Sequence, residues 1–229
     1  MTATVGVVLF PGTNCEHDVV GAVDGLGGHG RLVWHGDTSL GDIDALVLPG
    51  GFAHGDYLRP GAIARFSPIM AAIEAFAAAG GPVVGICNGF QVLTEAHLLP
   101  GALGRNAGLA FVCAPVELEV VSDRSVLTTG VPAGQRLRIP INHFEGNYLC
   151  DPRTLDELRA EGRIVVRYVD NPNGSVDDIA GITNAGGNVV GLMPHPERAC
   201  DALVGGTDGR VLLGALLRSA GAPVSFPVA

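Results

Sequence analysis

The sequence predicts an α/β protein whose first half builds a mostly parallel sheet wrapped by helices, with an additional extended, antiparallel region in the second half. Three observations carry this reading. Up to about residue 97, short apolar runs alternate with stretches whose apolar residues recur at helical spacing. The runs show no polar alternation, so both faces of each strand are covered, as in a sheet flanked by helices. Beyond about residue 110, extended segments follow one another with little helix between them.

Taken in order, Thr4-Val5-Gly6-Val7-Val8-Leu9-Phe10 is a buried strand closed by Pro11-Gly12. Val19, Val20, Val23 and Leu26 mark a helix that Gly27-Gly28 stops. Arg31 to His35 and Asp44 to Leu48 are strands, the second ended by Pro49-Gly50-Gly51. A long amphipathic helix is expected over 63–76, where Ile63, Phe66, Ile69, Met70, Ile73 and Phe76 share a face. Pro82 to Ile86 is another apolar strand, with a helix from about Asn88 to His97. In the second half, Val112 to Val121 and Leu137 to Tyr148 are extended, Leu155 to Ala160 is a short helix and Ile164 to Val169 a strand. Asn171-Pro172-Asn173-Gly174 is a turn, Ile179 to Thr183 and Val189 to Met193 bracket a hairpin, and a helix over 203–220 closes the chain. No repeat, linker or charge block interrupts the 229 residues, so one domain over 1–229 is expected.

Composition narrows the chemistry. All 14 basic residues are Arg, which excludes a Walker A phosphate loop and any Schiff-base lysine. A net charge of −9 without a basic cluster is unsuited to nucleic acid or anionic membrane. The first basic residue is Arg31, so no secretory signal is expected, and the apolar stretch from Pro68 to Cys87 is broken by Glu74 and Gly80-Gly81. Cys15, Cys87, Cys113, Cys150 and Cys200 form an odd, widely spaced set with no CxxC. Neither a disulfide framework nor a zinc site fits, and a reducing cytosol is the expected compartment.

Gly85-Ile86-Cys87-Asn88-Gly89, between a strand and a helix, is the cysteine version of the Gly-x-nucleophile-x-Gly elbow. The strand-to-helix turn is so tight that residues two away from the nucleophile must lack Cβ. The thiol is lifted out of the sheet at a helix N-terminus, where dipole and free N–H groups favour thiolate. The pentapeptide alone is also compatible with a buried structural cysteine between chance glycines; its strand–helix setting favours the elbow.

A cysteine nucleophile needs a base, and the base an orienting group. Pro194-His195-Pro196-Glu197 leaves the end of a strand, where ligand-facing loops of parallel sheets arise. Glu197 is placed to reach an imidazole nitrogen of His195. Alone, this is also a plain surface turn. Backbone donors for an oxyanion are expected from Asn88, after the nucleophile, and from Pro49-Gly50-Gly51. Cys15 could face the same sheet edge but lacks flanking glycines, and reads as a loop or cap residue. His54-Gly55-Asp56 and His195-Pro196-Glu197 look like metal-ligand pairs without a third ligand at suggestive spacing, so no metal is expected. Phe52, Tyr57, Leu58 and Arg59 lie in a loop that covers the site, faces a partner or packs its aromatics inward.

The segments Phe10-Pro11-Gly12-Thr13-Asn14-Cys15, Pro49-Gly50-Gly51-Phe52 with Gly55-Asp56-Tyr57-Leu58-Arg59, Gly85-Ile86-Cys87-Asn88-Gly89-Phe90-Gln91 and Gly191-Leu192-Met193-Pro194-His195-Pro196-Glu197 resemble class I glutamine amidotransferases. Within them, the Gly-Phe…Gly-Asp-Tyr-Leu-Arg and Cys-Asn-Gly-Phe-Gln strings resemble the glutaminase subunits of phosphoribosylformylglycinamidine synthases. The resemblance implies a flavodoxin-like fold and L-glutamine as substrate. It further implies Cys87 as nucleophile, His195 as base, Glu197 as its orienter and Gly51 and Asn88 N–H groups at the oxyanion. Gln91 and the Asn142-His143 segment would help seat glutamine.

By the same resemblance the chain binds no cofactor; ATP and Mg belong to a separate synthetase subunit, and a small accessory subunit completes the complex. Departures from the family are Ala53-His54, where Ser-Tyr is usual, and Phe144 where Gly is common. Alternatives are a class I glutaminase serving another synthetase, a related elbow-cysteine hydrolase or chaperone, or a non-catalytic regulatory subunit on the same fold. Asn88 argues against the hydrolase and chaperone reading, because those relatives place His directly after the nucleophile.

Overall fold

The computed structural model describes residues 2–223. Its first half runs β1 (Thr4–Leu9), α1 (Glu16–Gly25), β2 (His29–Trp34), β3 (Ala45–Leu48), α2 (Ile69–Ala78), β4 (Val83–Ile86) and α3 (Asn88–Glu95). The second half adds β5 (Ala102–Gly104), β6 (Val112–Val120), β7 (Arg136–His143), β8 (Asn147–Leu149), α4 (Pro152–Ala160), β9 (Ile164–Tyr168), β10 (Ile179–Thr183), β11 (Val189–Leu192) and α5 (Gly209–Ser219).

One mixed sheet takes the order β2-β1-β3-β4-β11-β10-β9-β6-β7. The strands from β2 to β11 are parallel, and every pairing beyond β11 is antiparallel. This is the expected α/β architecture with its antiparallel extension. Every residue of β3, β4 and β11 is buried, because helices cover both faces there. In β7, by contrast, Leu137, Ile139, Ile141 and His143 point inward while their neighbours are more exposed. That alternation belongs to a sheet with one covered face.

Register sets the site. Leu48 pairs with Gly85, and Ile86 with Leu192, so β3, β4 and β11 end at one level. The residues that follow, Gly50-Gly51, Cys87 and His195, therefore emerge side by side at the carboxyl edge. The outermost strand β7 also reaches this edge: His195 N–H donates to Pro140 O at 2.8 Å.

Four expectations are corrected. The helix over 63–76 is instead a 3-10 turn at Ala64–Phe66, a break, and α2. Ser67 precedes Pro68 and adopts ψ 143°, since proline disfavours a helical residue before it. Phe66 is left 74% exposed, outside the shared apolar face. The closing helix starts at Gly209, not 203; Leu203, 95% exposed, lies in the preceding turns. The extended run 137–148 bends at 144–146, and β8 leaves the main sheet to pair with β5. Helix α4 begins at Pro152, three residues before the expected Leu155, because Asp151 caps it by accepting from the N–H groups of Arg153 and Thr154, with Pro152 in the first turn.

Candidate active site

Cys87 sits between β4 and α3 with φ 51° and ψ −105°, a conformation that costs a residue with a Cβ roughly 1–3 kcal/mol. The surroundings hold it there. Its N–H donates to Leu192 O at 2.8 Å, and its carbonyl accepts from Phe90 and Gln91 at 3.0 and 3.2 Å, starting the helix. Both flanking glycines are required. A Cβ on Gly85 would lie 2.6 Å from the Gly89 carbonyl carbon, and one on Gly89 would overlap Leu48 O. The elbow read from the pentapeptide is thus present, with Cys87 buried and its Sγ 3.8 Å from Asn142 O.

His195 and Glu197 are both buried, with Nδ1 2.6 Å from Oε1. Burial by itself lowers the imidazole pKa. The Glu197 carboxylate reverses this, helped by the Cys87 and Cys15 sulfurs, and carries it well above the ordinary 6.5. Glu197 thus favours the imidazolium form. Among the described residues His195 Nε2 has no hydrogen-bond partner, so this nitrogen is available for a reacting group.

Gly50 and Gly51 close the other side. Asn14 N–H donates to Gly50 O and Phe52 N–H to Gly12 O, pinning the turn. Gly51 has φ 148°, and a Cβ there would lie 2.7 Å from Thr13 Cα. The N–H groups of Gly51 and Asn88 donate to no protein acceptor among the described residues. Two unengaged donors beside a buried thiol can hold an oxyanion. The Asn88 side chain ties the two together, accepting from Ala53 N–H at 3.0 Å and donating to Asp56 Oδ1 at 3.0 Å.

The residues expected to seat glutamine have protein partners of their own. The Gln91 amide is engaged at both ends, accepting from Asn88 Nδ2 at 2.8 Å and donating to Glu145 O at 2.6 Å. Its geometry is that of a brace between the elbow and the 144–146 bend. Asn142 presents its main-chain oxygen to Cys87. The His143 ring faces Asn106 Oδ1 at 3.1 Å and leaves its buried Nε2 without a partner. Burial, with His195 nearby, lowers the His143 pKa to about 4, so it is neutral at pH 7. The Phe144 ring lies 6.0 Å from the Arg105 guanidinium.

Sequence reasoning missed the roles of Asp56 and Asn106, and read Cys15 at the same sheet edge only as a loop or cap residue. Burial pushes the Asp56 carboxyl up to about 6, against the Asn88 hydrogen bond and with help from Glu145. Its signal was its place in the Gly-Asp-Tyr-Leu-Arg string. Tyr57 and Leu58, beside it, are 73% and 90% exposed, so this loop does not pack them inward. Arg59 pairs with Glu95. Cys15, expected as a loop residue, lies within 4.8 Å of ligand atoms of His195 and Glu197, supplying the third donor that sequence spacing did not show.

Residues 2–206 match the family model of the CobB/CobQ-like glutamine amidotransferase domain. The chain is 56% identical over 216 residues to phosphoribosylformylglycinamidine synthase subunit PurQ of Rubrobacter xylanophilus, covering 94% of this chain and 98% of that one. It is 58% identical over 215 residues to the subunit of the same name from Parasynechococcus marenigrum, covering 93% and 99%. A chain in the structure of PurLQS from Thermotoga maritima superposes with a TM-score of 0.88 at 41% identity, covering 95% of this chain and 99% of that one. A Thermoplasma acidophilum chain described as a GMP synthase component shares the fold, with a TM-score of 0.64 at 16% identity over 96% and 95% of the two chains.

Proposed function

This chain belongs to the CobB/CobQ-like glutamine amidotransferase family, and on that premise we propose that it is the glutamine-hydrolysing subunit of phosphoribosylformylglycinamidine synthase. It releases ammonia from L-glutamine for an ATP-dependent synthetase subunit that converts formylglycinamide ribonucleotide to formylglycinamidine ribonucleotide, in purine biosynthesis. One observation carries the chemistry: a strained, buried Cys87 at a strand–helix elbow, its sulfur interacting with the imidazole of the His195–Glu197 pair, with two unengaged N–H groups alongside.

The steps follow from that geometry. His195 takes the Cys87 thiol proton, and sulfur attacks the side-chain amide carbon of glutamine. The Gly51 and Asn88 N–H groups hold the oxyanion of the tetrahedral intermediate. His195, as imidazolium, returns the proton to the leaving nitrogen, so ammonia departs and a glutamyl thioester remains. Water, deprotonated by His195, hydrolyses the thioester to glutamate and frees the thiol. Glu197 keeps Nδ1–H pointed at itself and stabilises the imidazolium twice per cycle.

The complex has a synthetase and a small accessory subunit, as the PurLQS assembly named for the Thermotoga relative suggests. ATP and Mg act on the synthetase and no cofactor resides in this chain; the absence of lysine, which removes the P-loop cation, supports that division. The exposed Tyr57-Leu58 loop, joined to Asn88 through Asp56, is the surface we assign to the synthetase. We place the protein in the cytoplasm as one domain; no described helix is long and apolar enough to cross a membrane.

The test is glutamate release by the chain alone and mixed with the synthetase, using Cys87→Ala as the probe. Loss of glutamine-dependent product with ammonia-dependent product retained supports the assignment. Retained glutamine dependence overturns it.

A further inference from the structure

Cys15 takes no part in the steps above, yet its sulfur stands against the base. Sγ of Cys15, one ring nitrogen of His195 and one carboxylate oxygen of Glu197 lie within 4.8 Å of one another, all in buried residues. We propose that these three side chains form a soft-metal site, and that Zn²⁺ bound there switches the glutaminase off by capturing His195.

The donor set is that of zinc: one thiolate, one imidazole and one carboxylate, with a fourth position left for water. Zinc bonds of about 2.0–2.3 Å in a tetrahedron place ligands roughly 3.3–3.8 Å apart. The existing triangle therefore needs a closure of about one ångström at its widest. The Nδ1–Oε1 hydrogen bond, at 2.6 Å, must open instead. Glu197 has a second oxygen, Oε2, buried and without a partner among the described residues, to turn toward the ion. Two of the three residues arrive on fixed backbone: Cys15 N–H donates to Gly50 O at 3.2 Å and His195 N–H to Pro140 O at 2.8 Å. Gly50 keeps the gap open, since a Cβ there would lie 2.7 Å from His195 Cε1 and 3.2 Å from Cys15 Sγ.

Charge balances as well. A thiolate and a carboxylate neutralise a divalent ion, and the two protons displaced, one from the Cys15 thiol and one from the His195 imidazolium, leave to solvent. Arg198 Nη2 donates to Cys15 Sγ at 3.2 Å and competes with the ion for the sulfur. Its Nε already bonds Asp18 at 3.2 Å, giving the guanidinium somewhere to remain when the sulfur is taken. A cavity of about 370 Å³ between α1, the 196–199 turn and α5 is lined by Glu197, Arg198 and Asp18 and offers a route for the ion. Cys200 is a poorer donor, because burial pushes its thiol up to about 12 and it already bonds Pro196 O.

The inhibitory consequence rests on His195 being the base; metal binding itself does not. Two arms keep them apart. In the first, the full-length Cys87→Ala chain is titrated with Cd²⁺ and followed by the ultraviolet thiolate-to-cadmium band. One equivalent that disappears on adding Cys15→Ala, with Cys15→Ser as the second variant should alanine fail to fold, is the expected result. An unchanged titration overturns the site. In the second arm, Zn²⁺ inhibits glutamine hydrolysis by the assembled complex, and a chelator restores it. Cys15→Ala should raise the inhibitory concentration at least tenfold. Equal inhibition of that variant would place the inhibitory ion elsewhere and overturn the switch. A positive first arm with no glutaminase activity at all would instead count against the proposed function.

Discussion

Replacing Glu197 with Gln keeps the shape of the buried pair and removes its charge. Nδ1 and Oε1 are 2.6 Å apart with both side chains shielded from solvent, so the loss is felt at low dielectric. At an effective dielectric near 20, unit charges about 4 Å apart attract by roughly 4 kcal/mol. A neutral hydrogen bond to the glutamine oxygen retains about 1 kcal/mol of this. The imidazolium formed during thiol deprotonation therefore loses roughly 3 kcal/mol of support, about two orders of magnitude in kcat. The pH dependence has a definite sign. Burial lowers the His195 pKa and Glu197 is the chief group opposing it, so the limb governed by His195 moves to lower pH in the variant. The assay is glutamate release by the assembled complex across pH, with ammonia-dependent synthesis as the control. Turnover within threefold of the parent, or an unmoved limb, would refute the role of Glu197.

Gly89→Ala drives a Cβ into the Leu48 carbonyl, a backbone atom that cannot move aside; it should cost more than about 2 kcal/mol in denaturant unfolding. Gly21→Ala, on α1 with open space around it, should be stabilising by roughly 0.4–1 kcal/mol. Asp56 has its folded-state pKa raised from 3.8 to about 6, so its contribution to stability is present below the unfolded value and is lost as pH rises through 6. Asp56→Asn should therefore gain in melting temperature over the parent between pH 4 and pH 7; a pH-independent difference would contradict the burial of that carboxyl.

What could be read in advance divides along physical lines. β1, β3, β4 and β11 were legible because a strand covered on both faces must be continuously apolar, and each ends in a Pro, a Gly or the elbow. The elbow was legible for the same local reason: a tight strand-to-helix turn tolerates no Cβ at Gly85 or Gly89. The break before α2 is encoded at Ser67-Pro68, but helical periodicity across it masks the signal. The place of β7 was not legible, since its return to the carboxyl edge is a property of the whole sheet. Gln91 was read from its type, which suits an amide substrate, whereas its protein partners, Asn88 and Glu145, are set by the fold and were not legible. Cys15 carries no local mark, having no flanking glycines, yet a loop 180 residues before His195 in the chain brings its sulfur within 4.8 Å of a ligand atom of His195.

The chemistry turns on which sulfur carries the acyl group. An acid-quenched digest of the complex, taken during turnover with glutamine and analysed by mass spectrometry, locates the thioester directly. A glutamine-mimicking alkylator labels the same atom irreversibly. Both adducts should map to Cys87 and be absent from Cys87→Ala. A glutamyl adduct on Cys15, or label retained in the Cys87→Ala chain, would contradict the assignment.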